Sequence, residues 1–188
     1  MSTEPTVASS VAHVTDDRAA HAKKWYAAVV RVNCERRVSQ RLDAMGLENF
    51  VPLQRQMRIW SDRRKVISRV VIPMIVFVRA DERECRAVRD CSFIMRLLGV
   101  PGQSGPATIP DCQVERFRHM LLCTESPVNM EDAPLQAGQS VLIARGSLRG
   151  LCGELTGVSR SGSHVIVRIE GLGCAGVDIP SDYVERVV

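Results

Sequence analysis

No two of the seven cysteines (34, 85, 91, 112, 123, 152 and 174) form a CxxC pair, and the four histidines (13, 21, 119, 164) do not cluster with them. A structural zinc site needs tight Cys/His spacing, so none is expected, and reduced thiols of a cytosolic protein are the simpler reading. No apolar run approaches the ~18–20 residues of a membrane span. The opening MSTEPTVASSVAHVTDDRAAH has neither a basic n-region nor an apolar h-region, so no secretory signal is expected. There is no HExxH, P-loop, Ser-His-Asp or Cys-His set and no paired-carboxylate motif, which argues against an enzyme. Aromatics are scarce: two Trp, two Tyr and four Phe in 188 residues. The net charge of +4 is small.

What is present divides the chain. Residues 1–22 are Ser, Thr, Ala and Val without periodicity and read as a disordered tail. TESPVNMEDAP, 124–134, has two Pro, three acids and no pattern, and reads as a linker. Between them lies a body, 23–123, and after them a short piece, 135–188. The +4 is a difference of larger numbers. The body holds 19 basic and 10 acidic residues, a net of +9, while the tail carries −2 and residues 124–188 carry −3. An anionic partner is therefore expected of the body alone.

The body opens on a β-prone segment, WYAAVVR, 25–31. Asn33 suits a helix N-cap. Val38, Leu42 and Met45 then form one helical stripe, and Gly46 suits the position just past the helix end. NFVPL follows. QRQMRIW and KVISRVV, around SDRR, read as a hairpin with a basic tip. IPMIVFVR, 72–79, is apolar on both alternating sets of positions, so one face could be core and the other a partner site. Asp81 and Glu84 match a capping box opening a second helix that packs Cys85, Val88 and Cys91. A third helix starts near Pro110–Asp111 with Val114, Phe117 and Leu121 as its stripe. The fold class is α+β: helices on an antiparallel sheet. In the last piece, runs near 140–144, 152–157, 164–169, 177–179 and 183–187 between Gly or Ser clusters point to a small five-stranded β-barrel, with SRSGSH as a hairpin loop.

Several of these segments together resemble one family. The order WY strand, basic helix, FVPL, IPxxVFV strand and IPD before a helix is similar to the N-terminal (NGN) domain of the NusG family of transcription elongation factors. Arg145-Gly146-Ser147-Leu148-Arg149-Gly150-Leu151-Cys152-Gly153-Glu154-Leu155 resembles the KOW motif. Gly146, Gly150 and Gly153 are in register, while Ser147 and Leu148 replace the common Pro and Phe. VIVRIEG, DIPSDYVERV and IPDCQVERF look most like the UpxY branch, antiterminators of capsular polysaccharide operons.

The resemblance implies that Val29, Ile72, Pro73, Ile75 and Phe77, bordered by Tyr26, dock on the clamp helices of the RNA polymerase largest subunit. Core packing is the competing reading for Ile75 and Phe77. It implies that Arg31, Arg37 and Arg41 face non-template DNA or leader RNA, and the concentrated charge of Arg63, Arg64 and Lys65 at the hairpin points to nucleic acid or an acidic polymerase surface. A merely solvated face is the alternative. In 55–69 six basic residues meet one acid, Asp62, and Trp60 either stacks on a base or packs under the hairpin. Arg86 and Arg89 stand where relatives touch the second polymerase jaw, although the stretch lacks the family's usual His/Thr pattern. The turn Arg145, Gly146, Leu148, Gly150 stands where relatives bind Rho or a ribosomal protein, and Leu148 for Phe speaks against Rho. The expectation is a cytoplasmic monomer without cofactor or metal, acting as an operon-specific antiterminator. The alternatives are a general NusG-like elongation factor or a ribosome-associated, RNA-binding KOW protein.

Overall fold

The computed structural model describes residues 22–59, 64–99, 105–132, 138–159 and 162–187. The expected tail, Trp60, Asp62, Arg63 and the hairpin tip lie outside them, as do the side chains of Arg58 and Arg64.

Twelve strands and three α-helices are present among the described residues. The first sheet contains β1 (Lys24–Val30), β2 (Glu48–Phe50), β5 (Ile75–Ala80) and β6 (Ile94–Leu97), all antiparallel, in the order β2-β5-β1-β6. The central pair β1 and β5 is apolar at nearly every position because both of its faces are covered. On one face Tyr26, Ala28, Val30, Val76 and Val78 pack on α1 (Glu35–Ala44) and α2 (Glu82–Arg89) through Val38, Leu42, Cys85 and Val88. On the other face Trp25, Ala27, Ile75 and Phe77 pack on α3 (Asp111–Cys123) through Val114, Phe117 and Leu121. Phe50, Phe77 and Phe117 form a triangle of rings with centroids 5.8–6.1 Å apart, two of the three pairs edge-on.

Local signals explain two of the helix ends. Asp81 accepts from the Glu84 N–H at 2.8 Å, and the Glu84 carboxylate accepts from the Asp81 N–H at 2.9 Å, the expected capping box. Gly46 lies just past α1 with φ 73. Asn33 is not the N-cap of α1. It takes a left-handed turn, φ 60, one residue before Cys34 fills that place. Asn tolerates that conformation better than most residues. Met45 falls at the C-cap and is exposed, so the α1 stripe is Val38 and Leu42.

β3 (Leu53–Ile59) and β4 (Arg64–Val70) form a separate two-stranded ribbon. The second large sheet contains β7 (Asn129–Glu131), β8 (Gln139–Ile143), β9 (Cys152–Ser159), β10 (Gly162–Ile169), β11 (Gly173–Ile179) and β12 (Val184–Arg186), in the order β12-β8-β9-β10-β11-β7. Five of these strands were expected. The sixth, β7, arises from the segment read as linker, where it pairs with the edge of β11. The two units meet where α3 packs on β10, and the Glu170 N–H donates to the Gln113 side-chain oxygen at 2.7 Å.

Candidate functional site

Two features of the N-terminal unit gather the sequence-predicted residues: a turn at the start of β5 and a basic face along α1.

The turn spans Val71–Met74. Pro73 is exposed, Met74 half-buried, and Ile72 folds back onto the core beneath α3. Val29 is half-buried beside it, opposite Ile75 in the β1–β5 register. Ile75 and Phe77 are buried, so the open question about this strand resolves into two covered faces. Only the turn ahead of the strand, and Val29, reach solvent. Tyr26 lies on the far side of the sheet from Val29, because three positions along a strand change faces. It does not border the others. Its hydroxyl is paired with the Cys85 thiol, and burial, then the nearby Cys85, Glu82 and Asp81, push its pKa up to about 12.

The turn is fastened at both sides of Met74. The Val30 N–H donates to the Met74 carbonyl, and the Met74 N–H donates to Glu35 Oε1, each at 2.8 Å. Met74 holds φ 63 without being glycine.

On the basic face Arg31, Arg37 and Arg41 are all exposed, with Arg36 beside them. The guanidinium groups of Arg37 and Arg31 lie 5.1 and 6.0 Å from the centre of the Phe93 ring. Phe93 was missed by sequence reasoning. It is a lone aromatic after Cys91-Ser92, with no periodicity to mark it, and only the fold brings it to the Arg31 loop. The Arg31 N–H donates to the Phe93 carbonyl at 2.9 Å, and Phe93 holds φ 75, a conformation a bulky residue seldom adopts. On the ribbon Lys65, Arg69 and Arg55 are exposed. Lys65 shares a face with Arg69 and Gln54, while Arg55 is on the other.

Arg86 and Arg89 are exposed on α2, away from the buried Cys85 and Val88. In the Arg145–Gly150 turn Arg145 is exposed, but Leu148 is buried in the core and presents nothing to a partner. Gly146 holds φ 78, and a Cβ there would come within 2.6 Å of the Tyr183 ring, so both its backbone and its missing side chain are required. Among the described residues no group of three or more His, Cys, Asp or Glu side chains could hold a metal ion.

The family model for "Transcription termination factor nusG" matches residues 23–118, just over half of the chain. The chain belongs to the NusG family. NusG proteins are transcription factors, and the match spans both the turn and the basic face. No curated protein matches. Among solved structures, the chain is similar to Thermotoga maritima NusG, described for its domain interaction. The two are 20% identical over 88% of this chain and 98% of that one, with a TM-score of 0.49. A chain of the MjSpt4:Spt5 complex in conformation A is 15% identical over 87% of this chain and 97% of that one, with a TM-score of 0.27. No helix among the described residues of this NusG-family chain is long and apolar enough to cross a membrane.

Proposed function

We propose that this chain is an operon-specific antitermination and elongation factor of the UpxY type. It docks on the clamp helices of RNA polymerase and suppresses pausing and termination, at a polysaccharide biosynthesis operon. The observation that carries the reading is the pinned turn in which Pro73 and Met74 stand out beside Val29, above the buried Ile72, inside the matched segment. By favouring one polymerase conformation through differential binding, such a factor needs no catalytic group. It works as a cytoplasmic monomer without cofactor or metal.

The basic face then meets the nucleic acid held by the polymerase, non-template DNA or leader RNA. Arg31, Arg37 and Arg41 are exposed, and the first two stand beside the Phe93 ring. Arginine serves both phosphate and base, bidentately or by stacking. Lys65, exposed on the ribbon, is assigned the same role, and so by the resemblance are Arg63 and Arg64, which lie at or beyond the edge of the described residues. Arg86 and Arg89 are offered to the second polymerase jaw. The C-terminal sheet is a KOW barrel whose Arg145–Gly150 turn meets a ribosomal protein rather than Rho, since Leu148 is spent on the core.

Transcription reconstituted with RNA polymerase core enzyme tests the reading. The chain is expected to raise read-through of a terminator placed behind the leader of its own operon, and to leave an unrelated leader unaffected. Equal read-through on both templates identifies a general elongation factor. No retention on polymerase, with ribosomal RNA retained instead, sinks the proposal.

A further inference from the structure

Met74 occupies a backbone conformation in which glycine is the default residue, at φ 63. A non-glycine residue persists there only when its surroundings over-determine it. Both of its backbone polar groups are engaged, and from different elements: the carbonyl by the Val30 N–H at the end of β1, the N–H by Glu35 Oε1 at the first residue of α1. Glu35 is only 7% exposed, the one buried acidic residue among those described. Its charge sits in the first helical turn, where unpaired backbone N–H groups favour an anion. Nothing in that position requires burying a carboxylate except the turn it reaches. The Asn33 left-handed turn delivers it there, by starting α1 back beneath residues 71–74.

We propose that Glu35 is the positioning residue of the docking turn. It holds Met74 left-handed, so that Ile72 folds inward and Pro73 stands out towards an apolar protein partner. The inference rests on the docking reading of this turn. It also ties the turn to α1, so the apolar projection and the Arg37–Arg41 face move as one body.

Three variants of the full chain test it. Glu35→Asp keeps the charge at the start of α1 and draws the oxygen back by one methylene. Amide exchange at Met74 is expected to speed up about tenfold, the loss of one charge-assisted bond, with the global unfolding transition kept. Affinity for RNA polymerase core enzyme falls with it. Glu35→Gln keeps an acceptor at the same reach and is expected to stay close to the parent in both measurements. Met74→Gly in the Glu35→Asp background removes the steric cost of φ 63, and polymerase affinity is expected to recover. Unchanged Met74 exchange in Glu35→Asp overturns the positioning role. Faster exchange at unchanged polymerase affinity retains that role and removes the docking reading of the turn. Failure of Met74→Gly to restore a lost affinity overturns the argument from backbone conformation.

Discussion

His164 shows how a residue unmarked in sequence acquires a role from the register of a sheet. It stands opposite Asp178 in the β10–β11 ladder, with Nδ1 2.6 Å from the Asp178 carboxylate. Its Nε2 reaches the Glu131 carboxylate on β7 at 3.1 Å. The bridge passes over Gly176, where a Cβ would come within 2.7 Å of the imidazole and 2.6 Å of Glu131. Burial pulls the His164 pKa down, but hydrogen bonds to Asp178 and Glu131 and their charges together raise it above its ordinary value. A raised folded-state value means that the folded protein holds the proton more tightly than the unfolded chain. The stabilisation is complete below the unfolded value, ~6.5, and is lost as pH rises through the raised one. The denaturation midpoint is therefore expected to fall as pH rises above the unfolded value of ~6.5, and His164→Gln to flatten that slope. A parent-like slope in the variant assigns the pH dependence to other groups. None of this was legible in sequence, since positions 131, 164 and 178 show no common spacing. Asp81 with Glu84, and Gly46, were legible because their signals are local: three residues in one case and one in the other.

At the scale of elements, the segment 124–131 is held from both units. Gln54, fully buried on β3, donates to the Ser126 carbonyl at 2.7 Å and accepts from the Val128 N–H at 3.1 Å. Its amide thereby acts as a strand's backbone would. Thr124 Oγ1 accepts from the Ser126 N–H at 3.1 Å, and Val128 is buried. From the next residue on, the chain joins β11 as β7. Composition predicted a linker because Pro127, the acids and the lack of alternation carry no strand signal. The strand exists because the open edge of β11 accepts it, which is tertiary context. A buried glutamine inside a basic ribbon is equally invisible to periodicity. By contrast β5 was legible, since a strand covered on both faces is apolar at nearly every position, here all but Arg79. Gln54→Leu keeps the volume and leaves the Ser126 carbonyl and Val128 N–H without their partner. It is expected to lower the unfolding free energy by about 1–3 kcal/mol in a denaturant titration, and to expose the 124–131 amides to exchange. An unchanged midpoint means that other groups satisfy the segment.

Across the whole molecule, charge separates the two units as strongly as packing joins them. Residues 23–123 carry +9 against −3 in 124–188, although one of the two apolar clusters, on the α3 side of the first sheet, continues into the C-terminal sheet through α3 and β10. The division was readable by counting, whereas the contact between units was not, because Gln113 and Glu170 meet over 57 positions of sequence. On the nucleic-acid reading proposed above, the polyanion contacts one unit and not the other, and the salt dependence of binding reports which one. Each phosphate neutralised on a single strand contributes ~0.7 to the slope of log affinity against log salt. Arg37→Gln with Arg41→Gln is expected to weaken binding of single-stranded DNA by the full chain and to reduce that slope by about 1.4. Arg145→Gln with Arg149→Gln, two exposed residues of the C-terminal unit, is expected to leave the slope as it was. The opposite pattern, with the slope following Arg145 and Arg149, moves the nucleic-acid contact to the C-terminal sheet. It leaves the α1 arginines a solvated face, with Arg37 against the Phe93 ring.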